Sequence, residues 1–235
     1  MKIFSSILLF LIGLQIAWAG LSIEPIKLYI DKKQQRSTTV TLTSSEAPDS
    51  KIFEASAVKW TQSDKGEELL EPVSDIIINP KNFILKPNSS QVVRIGFRVQ
   101  PNIDAKEGTW RIVFNEVKPV NQPADSVAFL WNVSVPLFVG KQSALDLDIK
   151  PVISSGKTFL VIKNNANSHV QISKITIIDQ NKKEVATSSQ MKYLLAKKNY
   201  QFDFGNLNIK DWSKYKLLIV TDKQEKPLEF KVQGG

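Results

Sequence analysis

Cysteine is absent from the 235 residues, which excludes a disulfide framework, a thiolate metal site and a thiol nucleophile. An exported fold built this way is held together by burial alone. Histidine is nearly absent too. His169 stands alone in a polar turn after Asn167-Ser168, so neither a histidine metal cluster nor a Ser–His triad can be assembled, and it reads as an exposed loop residue. No phosphate-cradling glycine loop, nucleophile elbow or metal-ligand spacing occurs. Glu67, Glu68 and Glu71 are close together, but in a polar stretch that reads as a solvated turn, not as two carboxylates across a cleft. These gaps leave an enzyme without support, and no cofactor or metal is expected. Arginine is missing from the second half: Arg36, Arg94, Arg98 and Arg111 all precede residue 140. Residues 141–235 carry 16 lysines against 9 acids and supply most of the net charge of +8. Those lysines are dispersed and lack any recognition motif, which reads as a solvated surface and excludes nucleic acid as a partner.

Long apolar runs are also missing, with one exception at the start. Met1-Lys2 is a short basic opening, Ile3 to Ile16 is almost wholly apolar, and Ala17-Trp18-Ala19 is a small-residue cleavage site. This is the pattern of a secretory signal peptide cleaved after Ala19; the run is short for a spanning helix, which needs about 20 residues. No later segment approaches that length, so no membrane insertion is expected after cleavage. Export and a Lys-, Asn- and Ile-rich, cysteine-free composition point to a bacterial periplasmic or surface-associated protein.

What the chain does have is strand pattern. Candidate strands are 21–30, 36–43, 51–60, 73–78, 91–99, 109–117 and 126–139, separated by polar turns. Their number and spacing predict an antiparallel sandwich of immunoglobulin-like type for residues 20–140. Gly140 to Asp146 reads as a hinge. A second series (158–163, 170–178, 192–196, 200–204, 215–220, 228–232) predicts another β-sandwich over 141–235. The expected fold is thus all-β, two immunoglobulin-like sandwiches in tandem, with a single large barrel as the open alternative.

The segment Ser126–Val139 alternates over an unusual length. Val127, Phe129, Trp131, Val133, Val135, Leu137 and Val139 share one parity and hence one face. Pro136 cannot donate to a ladder and suits an edge. A long apolar edge strand is an aggregation liability unless it pairs with another chain. The alternative is that this parity simply faces the protein's own core.

Several ordered segments resemble the periplasmic pilus (fimbrial) chaperones of the chaperone–usher pathway. They are Leu21-Ser-Ile-Glu-Pro-Ile-Lys-Leu-Tyr-Ile-Asp31 with Arg36-Ser-Thr-Thr-Val-Thr-Leu-Thr, Pro80 to Gly96, and Glu107-Gly-Thr-Trp-Arg-Ile-Val-Phe-Asn-Glu-Val-Lys-Pro119. The resemblance implies a boomerang of two immunoglobulin-like domains that lends its seventh strand, here 126–139, to a pilin-like subunit. Val127, Phe129, Trp131 and Val133 would enter the subunit's groove, and an outer-membrane usher would receive the complex. Self-association of the free protein would be one way to cover that strand. The family holds the subunit's terminal carboxylate with two cations, of which Lys27 matches the first. The second position is Pro136, a departure for which Arg111, on the neighbouring strand, is the expected replacement; otherwise Arg111 is an exposed strand residue. Arg94, Glu107 and Asp222 match the family's interdomain salt bridge. A secreted adhesin or carbohydrate-binding sandwich is the competing function; it predicts an exposed aromatic loop platform, which the five tryptophans do not form.

Overall fold

The computed structural model describes residues 20–45, 49–118, 129–207 and 209–232. The signal segment 1–19 and the first groove candidate, Val127, lie outside the described residues.

Ten strands form the first half: β1 (Gly20–Glu24), β2 (Leu28–Ile30), β3 (Ser37–Ser45), β4 (Lys51–Gln62), β5 (Glu68–Pro72), β6 (Ile76–Asn79), β7 (Asn82–Leu85), β8 (Ser90–Phe97), β9 (Gly108–Val117) and β10 (Asn132–Val139). One sheet has the order β1-β3-β8-β6; the other has β2-β10-β9-β4-β5, with β7 also on β4. Alternation explains the packing. Val40 and Leu42 of β3 and Val93 and Ile95 of β8 point inward from one sheet. They meet Phe53 and Ala55 of β4, Ile112 and Phe114 of β9, and Val135, Leu137 and Val139 of β10 from the other. Each large apolar side chain sealed here contributes about 1.5–3 kcal/mol.

Two expectations need adjusting. Residues 21–30 are not one strand: β1 pairs with β3 in one sheet, while β2 pairs in parallel with β10 in the other. The chain crosses between sheets at Pro25 to Lys27, because Pro25 supplies no N–H to continue a ladder. Nor do Glu68 and Glu71 sit in a turn; they belong to β5, an edge strand whose Glu68–Pro72 register pairs with Val58–Gln62 of β4.

The second half folds as β11 (Leu147–Ser154), β12 (Lys157–Asn164), β13 (Val170–Ile178), β14 (Glu184–Ser188), β15 (Lys192–Leu194), β16 (Asn199–Asp203), β17 (Lys216–Thr221) and β18 (Gln224–Lys231). The sheets are β11-β12-β16 and β14-β13-β17-β18, with β15 on β13. Leu160, Ile172, Ile175, Phe202, Leu217 and Ile219 are among the residues of a separate core between them. The connection from β10 to β11 begins at Gly140, whose φ of +138° few side chains tolerate and whose missing Cβ would stand 3.1 Å from the Glu107 Cα.

The two sandwiches touch through the outer face of the β2-β10-β9-β4 sheet. On β4 the outward parity ends in Trp60 and Gln62, and on β10 it ends in Phe138; all three are buried although they point away from their own core. Trp60, Phe138 and Leu195 form a third apolar cluster with Tyr29 and Tyr193 packed on it. Gln62 completes the seam, its Nε2 donating to the Tyr193 carbonyl (2.7 Å) and its Oε1 accepting from the Leu195 N–H (2.9 Å).

Candidate functional site

The long alternating strand divides in two. Among the described residues regular pairing begins at Asn132, and the Glu116 N–H still donates to the Trp131 carbonyl at 2.7 Å; positions 126–128 of the expected strand lie outside the described residues. Its second half is sealed on both faces: Val135, Leu137 and Val139 fill the first core, and Phe138 faces the second sandwich. The first half is not sealed. Phe129 is 94% exposed and Trp131 42% exposed, with Val133 half-buried where the core begins. β2 covers the outer edge of β10 only from Leu137 to Val139, so among the described residues nothing pairs with 132–136 on the side away from β9. Pro136 is the last residue before that cover begins, at an edge where no N–H is needed. One parity thus serves two purposes: Leu137 and its neighbours hold the fold, while Phe129 and Trp131 face solvent at an unpaired edge.

Beyond this edge lies the seam between the sandwiches, and two cations meet there. Lys27, delivered by the crossover into β2, places its Nζ 5.4 Å from the Tyr193 ring centroid. Arg111 leaves β9 on the outward parity, between inward Trp110 and Ile112, and its Cζ lies 5.9 Å from the same ring. Arg111 is the cross-strand partner of Pro136, so the two side chains share a face of the sheet. The guanidinium stacks at 3.8 Å over Trp60, a cation–π contact that fixes its direction. Each cation has an internal carboxylate: Lys27 Nζ is 2.7 Å from Asp222 Oδ2, and Arg111 Nη2 is 3.3 Å from Glu68 Oε1. The Asp222 pair is the shielded one, because Glu68 sits half-exposed on the edge strand β5.

The structure corrects the expected interdomain triad. Arg94 lies between buried Val93 and Ile95 on β8, so strand alternation sends it to the solvent face of the opposite sheet, across from Thr39 and Asn79. It joins neither Glu107 nor Asp222. Between those two acids stands His169, which is 1% exposed and not the surface residue its polar neighbours suggest. Glu107, just ahead of β9, accepts from the His169 backbone N–H at 2.8 Å, and its oxygens lie 2.9 and 3.0 Å from His169 Nδ1. Gln142 of the connection donates to Glu107 Oε2 at 2.7 Å and accepts from Lys223 Nζ at 2.6 Å. The imidazole stacks on Phe138 with ring centroids 3.4 Å apart.

Burial tends to raise the Asp222 carboxyl. His169, the Lys27 ammonium and the Gln171 N–H outweigh that and hold it well below the usual aspartate range. Burial, then the nearby Asp222, pushes the Tyr193 phenol up to about 12; Tyr29 rises further for the same two reasons. Sequence reasoning missed His169, Trp60, Gln62 and Tyr193. Only Trp60 carried a signal, as a large aromatic on the β4 parity that also holds Glu54, Ser56 and Gln62.

Residues 20–141, more than half of the chain and all of the first sandwich, match the family model of the pili and flagellar-assembly chaperone, PapD N-terminal domain. The chain belongs to this chaperone family. No curated protein matches it by sequence alone. Among solved structures, it is similar to a chain of the CsuC–CsuE chaperone–tip adhesion subunit pre-assembly complex from the archaic chaperone-usher Csu pili of Acinetobacter baumannii. That likeness has a TM-score of 0.69 at 19% identity over 91% of this chain and 98% of that one. The Salmonella enterica SafA pilin–SafB chaperone complex gives 0.60 at 12% identity, over 91% and 96%. The E. coli chaperone DraB gives 0.57 at 14% identity, again over 91% and 96%. At these identities the likeness shows the fold alone: all-β, with two immunoglobulin-like domains.

Proposed function

We propose that this chaperone works in the periplasm, without ATP or covalent chemistry. It holds a pilin-like subunit by lending the free edge ahead of Pro136 and passes it to an outer-membrane usher. The observation that carries this reading is the pair of exposed aromatics Phe129 and Trp131 immediately ahead of an edge strand whose continuation is locked into the chaperone's own core. Strand pairing would satisfy the free backbone groups of residues 132–136, and Val127, Phe129, Trp131 and Val133 would fill alternate pockets of the subunit. Burying each such side chain is worth about 1.5–3 kcal/mol before ordering costs.

Lys27 and Arg111 are the proposed anchor for the subunit's terminal carboxylate. Two things support Arg111 in the role that Pro136 cannot fill. It faces the same side of the sheet directly across from Pro136, and its guanidinium can grip a carboxylate through two N–H groups. Glu68 is half-exposed and free to swing away, so an entering carboxylate would replace it.

Co-expression with a candidate subunit, followed by pull-down from the periplasmic fraction, tests the reading. Wild type should recover the subunit, Trp131→Ala should lower recovery at least about tenfold, and Arg111→Glu should abolish it. Recovery unchanged by both substitutions would remove the edge and the cation from the site.

A further inference from the structure

The chain's one imidazole sits where two carboxylates converge, and only one of its nitrogens is engaged. Nδ1 is 2.9 Å from Glu107 Oε1, while Nε2 is buried without a hydrogen-bond partner, 3.6 Å from Asp222 Oδ2. That separation is too long for a hydrogen bond. A neutral ring that donates from Nδ1 to Glu107 turns a bare lone pair at Nε2 toward a carboxylate oxygen, an unfavourable pairing. A proton on Nε2 converts the same geometry into a donor facing an acceptor. The two Asp222 oxygens are not equivalent: Oδ1 is fixed by the Gln171 N–H at 2.7 Å, and Oδ2 takes Lys27 at 2.7 Å. Oδ2 is therefore the one atom that both Lys27 and a protonated His169 can claim.

We infer that His169 is a positioning residue for the subunit-carboxylate site, setting through Asp222 Oδ2 how tightly Lys27 is held. With Nε2 protonated, Oδ2 closes on His169 and releases the Lys27 ammonium to an incoming carboxylate. With Nε2 bare, Lys27 stays bound to Asp222. The inference deepens the proposed function and rests on Lys27 being a subunit anchor, but the coupling itself is a property of the free chaperone.

Charged and titratable groups face His169 from every side. Glu107 comes from ahead of β9, Asp222 and Lys223 from the β17–β18 turn, and Lys27 from the crossover into β2. Tyr29 of β2 lies at 6.1 Å and Tyr193 of β15 at 5.9 Å, with Arg111 beyond Tyr193. Among these residue types, histidine is the one whose ordinary titration falls between pH 5 and 8. Acidification through that range is the signal this arrangement would read, and it should strengthen capture.

A single histidine gives one set of ring resonances, so its protonation can be followed by NMR in the full-length mature chaperone without any subunit present. Lys27→Met removes the competitor for Asp222 and should move the His169 ring titration to higher pH. Asp222→Asn should lower it. A midpoint indifferent to both substitutions, or a ring that does not titrate between pH 5 and 8, would overturn the inference. In the second arm, the subunit recovered with wild type is bound at pH 5.5 and pH 8.0. Binding should be at least about fivefold tighter at the lower pH, and His169→Gln should flatten the difference. Equal binding by wild type at both values counts against the inference. If wild type retains no subunit at either pH, the anchor reading of Lys27 falls, and the titration alone decides the coupling.

Discussion

Tyr193 stands between two cations and a carboxylate, and its phenol reports on the seam around it. Its value of about 12 lies above the ordinary one, so the folded state prefers the protonated ring. That contribution is complete below the ordinary tyrosine value of about 10 and is lost as pH rises past it toward the folded value. Asp222 has the opposite sign: its carboxyl is held low, so its contribution is complete above the ordinary aspartate value and fades as pH falls below it. Chemical denaturation at stepped pH should therefore show a stability loss above pH about 10 that Tyr193→Phe flattens, and an acid-side loss that Asp222→Asn flattens. Profiles that both variants leave unchanged would contradict these environments. Neither environment was readable in the sequence. His169 shows why: its burial comes from Phe138 and Glu107, residues of the other sandwich, while the residues just before it, Asn167 and Ser168, are polar. Arg94 failed for the complementary reason, since matching a motif position says nothing about which face of β8 the residue takes.

Alternation along β10 was plain in the sequence, and so was the suitability of Pro136 for an edge. The division of the strand was not, because periodicity assigns faces and cannot say which part of a face another sheet covers. The two halves make a direct contrast. Leu137→Ala empties a fully buried position of the first core and should cost about 2–5 kcal/mol in urea unfolding. Trp131→Ala, at a partly exposed position with no place in that core, should cost less than about 1 kcal/mol and act instead on subunit recovery. Comparable losses for the two would mean that residues 129–131 pack as part of the chaperone's own fold. The same limit on periodicity explains the break between β1 and β2. The apolar pattern of residues 21–30 continues through Pro25, and only the loss of an N–H there hints that the chain leaves one sheet for the other.

Two sandwiches with separate cores behave as one molecule only through what joins them, and here the join combines a small apolar cluster with buried polar contacts. Tandem immunoglobulin-like units were legible from strand spacing. Their junction was not, because it is built from single residues far apart in the chain: Gln62 with Tyr193 and Leu195, Lys27 with Asp222, and Glu107 with His169. Glu107 is the most committed of these. Its side chain is fully buried and satisfies the His169 N–H, the imidazole and Gln142 together, so removing it strands three donors of the second sandwich and the connection. Truncating one partner of such a buried pair costs about 3–5 kcal/mol. In calorimetry, Glu107→Ala should split a single cooperative transition into two as the sandwiches unfold separately. Arg94→Ala, on the solvent face of β8, should keep the single transition and change stability by no more than about 0.5 kcal/mol. If Arg94→Ala split the transition as Glu107→Ala does, the partner holding the two domains in register would be the arginine and not His169.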